Sequence, residues 1–196
     1  MTARKARSPL PDLAIAAVLA LAALCGCRKE SQAPSAAQAP TPLASQSEQV
    51  QRILFYPAGD DQLLTSVKVS LVSSGNPQQD MTDVVRRLLL GPPGEGQTQP
   101  FPERCGVRST FMLGSEAVVD LTGPVRTGAG SDTETARVYG IVQSLHANFP
   151  EVRSVRILVD GQEVESLLGH VDLRHSLVPE ARLLAPAERA ALGNAS

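Results

Sequence analysis

The hydrophobic period of this chain changes near Pro150, and that change dictates the local architecture of everything from Ser131 to Val171. Ser131-Asp132-Thr133-Glu134 has the form of a capping box: the serine hydroxyl can accept from the Glu134 amide while the glutamate carboxylate reaches back to Ser131. The spacing therefore predicts a helix start there. Val138, Ile141, Val142, Leu145 and Phe149 follow at helical intervals and define one apolar stripe, and Pro150 ends it. From Val152 the period is two, with Val155, Ile157 and Val159 on one face and Arg156 on the other, as a half-buried strand requires. Asp160-Gly161 supplies the positive φ values of a type I′ turn, so Gln162 to Ser166 is expected to return as a second strand. The unit closes on Leu168-Gly169-His170-Val171-Asp172-Leu173.

Upstream, Arg52 to Pro57 is a short apolar run stopped by proline and reads as a strand. Ala58-Gly59-Asp60-Asp61 turns the chain, and Val67, Val69 and Leu71 alternate with Lys68 and Ser70 in a second strand. Asn76 as cap, Pro77 at the first helical position and Gln79 at the capping-box position announce a helix, with Met81, Val84, Val85, Leu88 and Leu89 on its apolar side. Gly91-Pro92-Pro93 stops it. Val107–Leu113 and Ala117–Leu121, joined through Gly114-Ser115-Glu116, read as a hairpin. Two amphipathic helices among these segments predict an α+β fold, with both helices packed on one face of a mixed or mainly antiparallel sheet of five to six short strands. From Pro179 the chain is rich in Ala and Leu and reads as a short helix or as a disordered tail.

The N-terminus carries an address. Arg4, Lys5 and Arg7 precede an apolar run from about Leu13 to Leu24, too short to span a bilayer of about 30 Å, and then Leu24-Cys25-Gly26-Cys27. This is the pattern of a secretory signal, and Leu at −3 with Gly at −1 relative to Cys27 resembles a bacterial lipobox, whose cysteine is acylated. Cys25 fits that pattern worse, because Leu24 is bulky at −1. The alternative is an ordinary signal cut nearby, or an uncleaved anchor. Two or three acyl chains on Cys27 would hold the protein stably on a membrane, each buried CH₂ contributing about 0.8 kcal/mol. Residues 28–49, rich in Ala, Pro, Ser and Gln without apolar period, are expected to be a disordered tether. The layout is thus a signal at 1–26, a tether at 27–49, a folded domain at 50–179 and a tail at 180–196.

With Cys27 lipidated and Cys25 removed with the signal, Cys105 stands alone in the mature chain, which leaves no internal disulfide. Its neighbour Arg104 would lower its pKa if the thiol were exposed; a half-buried filler is the plainer role. The net charge is −2, and removing a signal with three basic residues and Asp12 leaves about −4. Without a basic footprint, and with two Tyr, four Phe and no Trp, the composition argues against nucleic acid.

Taken in order, these segments resemble the GerMN domain, a sporulation and germination module. The carrying motifs are the aromatic strand Leu54-Phe55-Tyr56, the helix end Leu88-Leu89-Leu90-Gly91-Pro92, Pro102 and Gly106 leading into a strand, the hairpin arm ending Asp120-Leu121, and the final helix, strand and hairpin. The resemblance covers about Ile53 to Pro179. It implies a non-catalytic interaction or assembly module on an envelope lipoprotein, similar to ring-building modules of envelope channel proteins, with an envelope protein or another copy as partner and no cofactor. Two features depart from the family: its name-giving member carries two copies in tandem where this chain has room for one, and Cys105 stands where an unreactive residue is usual.

Candidate chemistry is sparse. His170-Val171-Asp172-Leu173-Arg174-His175 offers two imidazoles and a carboxylate, but in a strand His170 and Asp172 would share a face and His175 would point away, so no three-ligand metal site follows. His146 falls on the last turn of its helix, where a partly positive ring suits the dipole. Gly128-Ala129-Gly130 before a helix lacks the third glycine of a dinucleotide fingerprint and the lysine of a P-loop, and the Gly91–Gly96 run also lacks a lysine. No G-x-S-x-G, Cys–His pair or convergent carboxylate pair is present. The alternative function is a periplasmic binding protein or hydrolase for cell-wall fragments or a small solute, with a cleft between loops 91–102 and 121–131 and with His170 and Asp172 contributing.

Overall fold

A computed structural model describes residues 48–128 and 130–193. The signal, Cys27 and most of the tether lie outside the described residues. Strands β1 (Gln49–Ala58) and β2 (Leu63–Val72) form an antiparallel hairpin, with Gln49 opposite Val72 and Ala58 opposite Leu63. Strands β3 (Gly106–Leu113), β4 (Glu116–Thr122), β5 (Ser154–Val159) and β6 (Gln162–Glu163) make a second sheet in that order. Its central pair, β4 and β5, is parallel and its outer pairs are antiparallel. Helix α1 (Pro77–Leu89) joins the two sheets along the chain, α2 (Ser131–Asn148) is the crossover that a parallel β4–β5 pair requires, and α3 (Pro186–Gly193) follows a 3₁₀ turn at Ala181–Leu183.

The fold is therefore α+β, with six strands of mixed pairing among the described residues, divided between two sheets. The reason lies in α2, which packs against β1 and β5 and so touches both sheets. The sequence predicts one apolar stripe on this helix, yet every residue from Ala136 to Leu145 is buried. Gly140, Ser144 and Asn148, four apart, form a second working face. Ser144 Oγ accepts from the Phe55 amide at 3.0 Å; Asn148 Oδ1 accepts from the Ile53 amide at 2.9 Å, and its Nδ2 donates to the Ile53 carbonyl at 2.6 Å. A Cβ on Gly140 would stand 3.1 Å from the Phe55 carbonyl oxygen, so the helix comes close because that position has no side chain. In effect α2 takes the place of a neighbouring strand for β1. Asn148→Ala leaves both polar groups of Ile53 without these partners and is expected to cost about 2 kcal/mol, read as a lowered denaturant midpoint with unchanged slope.

The motifs read for α1 hold, with one change. Asn76 Oδ1 accepts from the Gln78 and Gln79 amides, Pro77 opens the helix and Gly91 stops it at φ +95°. The Gln79 side chain does not reach back to Asn76; it bonds Asp83, one turn on, at 3.1 Å. The aromatic strand and the Leu-Gly-Pro helix end meet directly: Tyr56, fully buried, lies 2.9 Å from the Gly91 carbonyl and 3.1 Å from that of Leu88, capping the helix end. Burial pushes the Tyr56 hydroxyl up to about 12, which keeps it a donor. Asp80, in the first turn, accepts from Ser73, from the amide and hydroxyl of Ser74, and from Arg52.

The hairpin turn at Asp160-Gly161 forms with φ of 52° and 77°, but pairing stops after Gln162 and Glu163, short of Ser166. The chain from 180 onward packs back on the domain. Leu184 is fully buried and pairs in parallel with Leu64, the Ala185 amide donates to the Leu64 carbonyl, and Glu188 accepts from the amide and hydroxyl of Ser66. The packed unit thus continues past residue 179 through α3.

Candidate functional site

The amino-terminal half of α2 carries two buried charges. Glu134 does not close the capping box on Ser131; Gly130 is the cap residue and makes no side-chain bond. Its carboxylate is fully buried and accepts instead from the amides of Leu167 at 2.8 Å and His170 at 2.6 Å. Burial alone would raise its pKa, but the ring of amides from residues 167–171 outweighs it and holds the carboxyl below its ordinary range. One turn on, Arg137 is 3% exposed and donates to the carbonyls of Pro100, Val125 and Thr127 at 2.7–3.0 Å. Two side chains of one helix thus fix three loops: Glu134 the segment after β6, and Arg137 the segments before β3 and after β4.

The segment Glu134 holds is a loop, not a strand, and it lines two polar hollows of the surface. One hollow, of about 430 Å³, is bounded by Thr135, Tyr139, His170, Val171, Asp172 and Arg182 among others. A second, of about 310 Å³, shares His170, Val171 and Asp172 and adds Glu165 and Arg174. The structure therefore brings His170 and Asp172 to one groove, as the ligand-binding alternative requires. Of the two, Asp172 is already engaged. Asp172 takes a two-pronged contact from Arg174 at 2.9 Å, which with the Arg174 amide draws its pKa down to about 2. Tyr139 donates to Glu180 at 2.6 Å, burial and that carboxylate raise its pKa to about 12, and Arg182 pairs with the same glutamate. His175, though exposed, is not among the residues lining either hollow. Among the described residues no three His, Cys, Asp or Glu side chains converge as a metal cluster.

Loops 91–102 and 121–131, expected to flank a cleft, are bridged by Arg137, which donates to the carbonyls of Pro100, Val125 and Thr127. His146 has a firmer tie than the helix dipole: its Nδ1 donates to the Val152 carbonyl at 2.8 Å, pinning the turn into β5. The first turn of α2 carries Asp132 and Glu134, so the glycine loop before it does not present a free anion site. Cys105 is half-buried against the core, and burial raises its thiol pKa more than Arg137 draws it down, the reverse of the lowering its basic flank suggested. Slow reaction with a thiol reagent in the native state and fast reaction in urea is the expected outcome, measured by release of a chromophoric thiol.

Asp120, in the Asp-Leu motif, is likewise structural. It is buried, accepts from the Gly161 amide at 2.8 Å and lies 3.5 Å from Arg108, so it locks the β5–β6 turn onto β4. Sequence reasoning missed Glu134, Arg137 and Asp120 as organising charges. For Asp120 the available signal was a charge standing inside the apolar run Ala117–Leu121; Glu134 and Arg137, in the polar first turns of α2, carried no such mark.

No curated protein matches the chain. Among solved structures, the first GerMN domain of the sporulation protein GerM from Bacillus subtilis is similar at a TM-score of 0.54 and 17% identity, covering 66% of this chain and 97% of that one. The tandem GerMN domains of the same protein are similar at a TM-score of 0.53 and 17% identity, covering 71% of this chain and 49% of that one. At such identity these likenesses concern the fold. The family described as Germane, sporulation and spore germination, matches residues 53–165. That match takes in more than half of the chain, from β1 through β6, and the chain belongs to the sporulation and spore germination family.

Proposed function

We propose that the chain is a bacterial envelope lipoprotein, carried by lipid on Cys27 and a tether, whose single domain is a non-catalytic protein-interaction or assembly module. One observation carries the absence of catalysis from this reading: the buried charges all hold backbone or one another. Glu134, Arg137, Asp80 and Asp120 are bonded to loop amides, carbonyls or hydroxyls, and Tyr139, Glu180, Arg182, Asp172 and Arg174 are paired along the groove. A general acid, base or nucleophile needs a free group with a convergent partner; the charged groups named here are occupied, and the His170 ring has no hydrogen-bonded partner beside it among the described residues. Family membership supports a role in sporulation or related envelope work. Affinity capture of the tagged full-length protein from cross-linked envelopes, with Cys27→Ala alongside, tests it. Specific protein partners that weaken in Cys27→Ala are expected; none, with wall fragments or solute bound instead, would overturn it.

The groove itself favours a second reading, a binding site for a small polar solute or wall fragment, because two hollows share His170 and Asp172. Replacing both residues would abolish ligand binding in that case and leave partner capture unchanged.

A further inference from the structure

The strand edges of the molecule are not equally protected. An unpaired edge displays a row of amides and carbonyls that another chain can complete, so proteins cover, bend or shorten such edges. β1 is sealed at Ile53 and Phe55 by Asn148 and Ser144. β6 has two residues, and β3 is bulged between Val107 and Ser109 and packed beside α1. β2 is regular throughout its pairing with β1.

Its parity is fixed by the bonds present. Ser73 donates inward to Glu48, whereas the Leu64 carbonyl and the Ser66 amide face outward and are taken by Ala185 and Glu188. Hydrogen-bonding direction alternates along a strand, so Lys68, Ser70 and Val72 face outward too. The covering segment does not bond them. Among the described residues nothing pairs with the C-terminal part of the β2 edge.

Beside this edge lies Leu90, the most exposed large apolar side chain of the described residues. Leu90 is 76% exposed and Val72 52% exposed, and with Leu71 they bound a hollow of about 280 Å³ rimmed by Asp83, Arg86 and Arg87. Asp83 is occupied by Arg86 and Gln79. Lys68 has no ion-pair partner among the described residues, and Arg87 contacts the Gly91 carbonyl and no carboxylate. The edge thus combines unpaired backbone, an apolar hollow and an excess of positive charge. A second copy meeting it edge to edge would bring two such basic rims together, which selects a different chain of opposite charge.

We propose that the β2 edge at Lys68, Ser70 and Val72 accepts an extended segment of a partner protein as a third strand, with apolar side chains entering the Leu71–Val72–Leu90 hollow and acidic side chains facing Lys68, Arg86 and Arg87. Main-chain bonds supply affinity and alternate side chains supply selectivity in such additions. This rests on the interaction-module reading and names its surface.

The test places a diazirine amino acid at position 90 of the full-length chain in cells, with a second version carrying it at position 135 in the His170 groove. After illumination, the attached peptide is sequenced. Position 90 is expected to link to one segment of another chain in which apolar residues alternate with polar ones and at least one acid is present. Ser70→Pro should reduce that link about tenfold, since it removes an outward amide without touching the β1 ladder. Lys68→Glu, which leaves the backbone intact, should reduce it about threefold. Links only to another copy, links to a segment without acids, or links indifferent to both substitutions overturn the proposal. A protein linked at position 135 and none at 90 overturns the edge while leaving the interaction reading standing; no link at either position removes both.

Discussion

Glu134→Ala is expected to be the most damaging single substitution in the domain, lowering stability by about 4 kcal/mol and the melting temperature by roughly 12 °C. The carboxylate is fully buried and receives the Leu167 and His170 amides at 2.8 and 2.6 Å, so its removal leaves these donors without their acceptor and frees the loop that walls the groove. Calorimetry of the soluble domain measures the first effect, and hydrogen exchange at Leu167 and His170 the second. The same group predicts an acid sensitivity. Its folded-state pKa lies below its ordinary 4.5, so as pH falls through 4.5 the unfolded chain binds the proton first. Stability is fully present above that value and is lost as pH drops through the folded-state pKa. Asp80 and Glu116 are depressed as well, Asp80 by its serine bonds against an opposing burial effect and Glu116 chiefly by Arg156 and Ser176, and they titrate with the same sign. Glu134→Gln should therefore make the acid limb of stability against pH shallower without abolishing it.

Gly123→Ala is expected to cost about 3 kcal/mol. The residue sits at φ +85°, where an L side chain is disfavoured by about 1–2 kcal/mol. A Cβ there would also stand 2.4 Å from the Arg104 carbonyl oxygen, a backbone atom held in a residue that itself has φ +65°. Gly114→Ala separates the two causes: Gly114 has φ +62° in the β3–β4 turn and nothing within 4 Å of its Cβ site, so it should cost about 1 kcal/mol. Equal melting temperatures for the two variants would show that the approach of Gly123 to Arg104 is loose.

The local rules were legible where the responsible groups lie close in sequence. Asn76, Pro77 and Gly91 bound α1 as read, and Asp160-Gly161 turns the chain as read, because capping and two-residue turns are settled within a few residues. Glu134 shows the limit. Its spacing from Ser131 suits a capping box, but its amide partners at 167 and 170 belong to a loop that only the folded chain brings near. The far face of α2 was hidden for a related reason. Gly140, Ser144 and Asn148 look like a solvent face, and only the placement of β1 turns them into a surrogate strand edge. Within the candidate site, the nearness of His170 to Asp172 was visible. The ties of Asp172 to Arg174 and of Tyr139 to Glu180, which occupy the groove, required the coordinates. Cys105 is the half-buried filler read from the sequence, and partial burial outweighs the basic charge near it.

The return of residues 184–188 to β2 orders events in time. Ser66 and Glu188 are separated by 122 positions, so the first hairpin can be clasped only after nearly the whole domain has been synthesised. Until then the Leu64 carbonyl and the Ser66 amide lack these partners, and Leu64, fully buried at the end, has no Leu184 beside it. The hairpin is thus completed by a contact of very long sequence separation, the kind that forms late because loop closure must come before it. The clasp makes the arrival of residues 184–188 the step that completes the first hairpin.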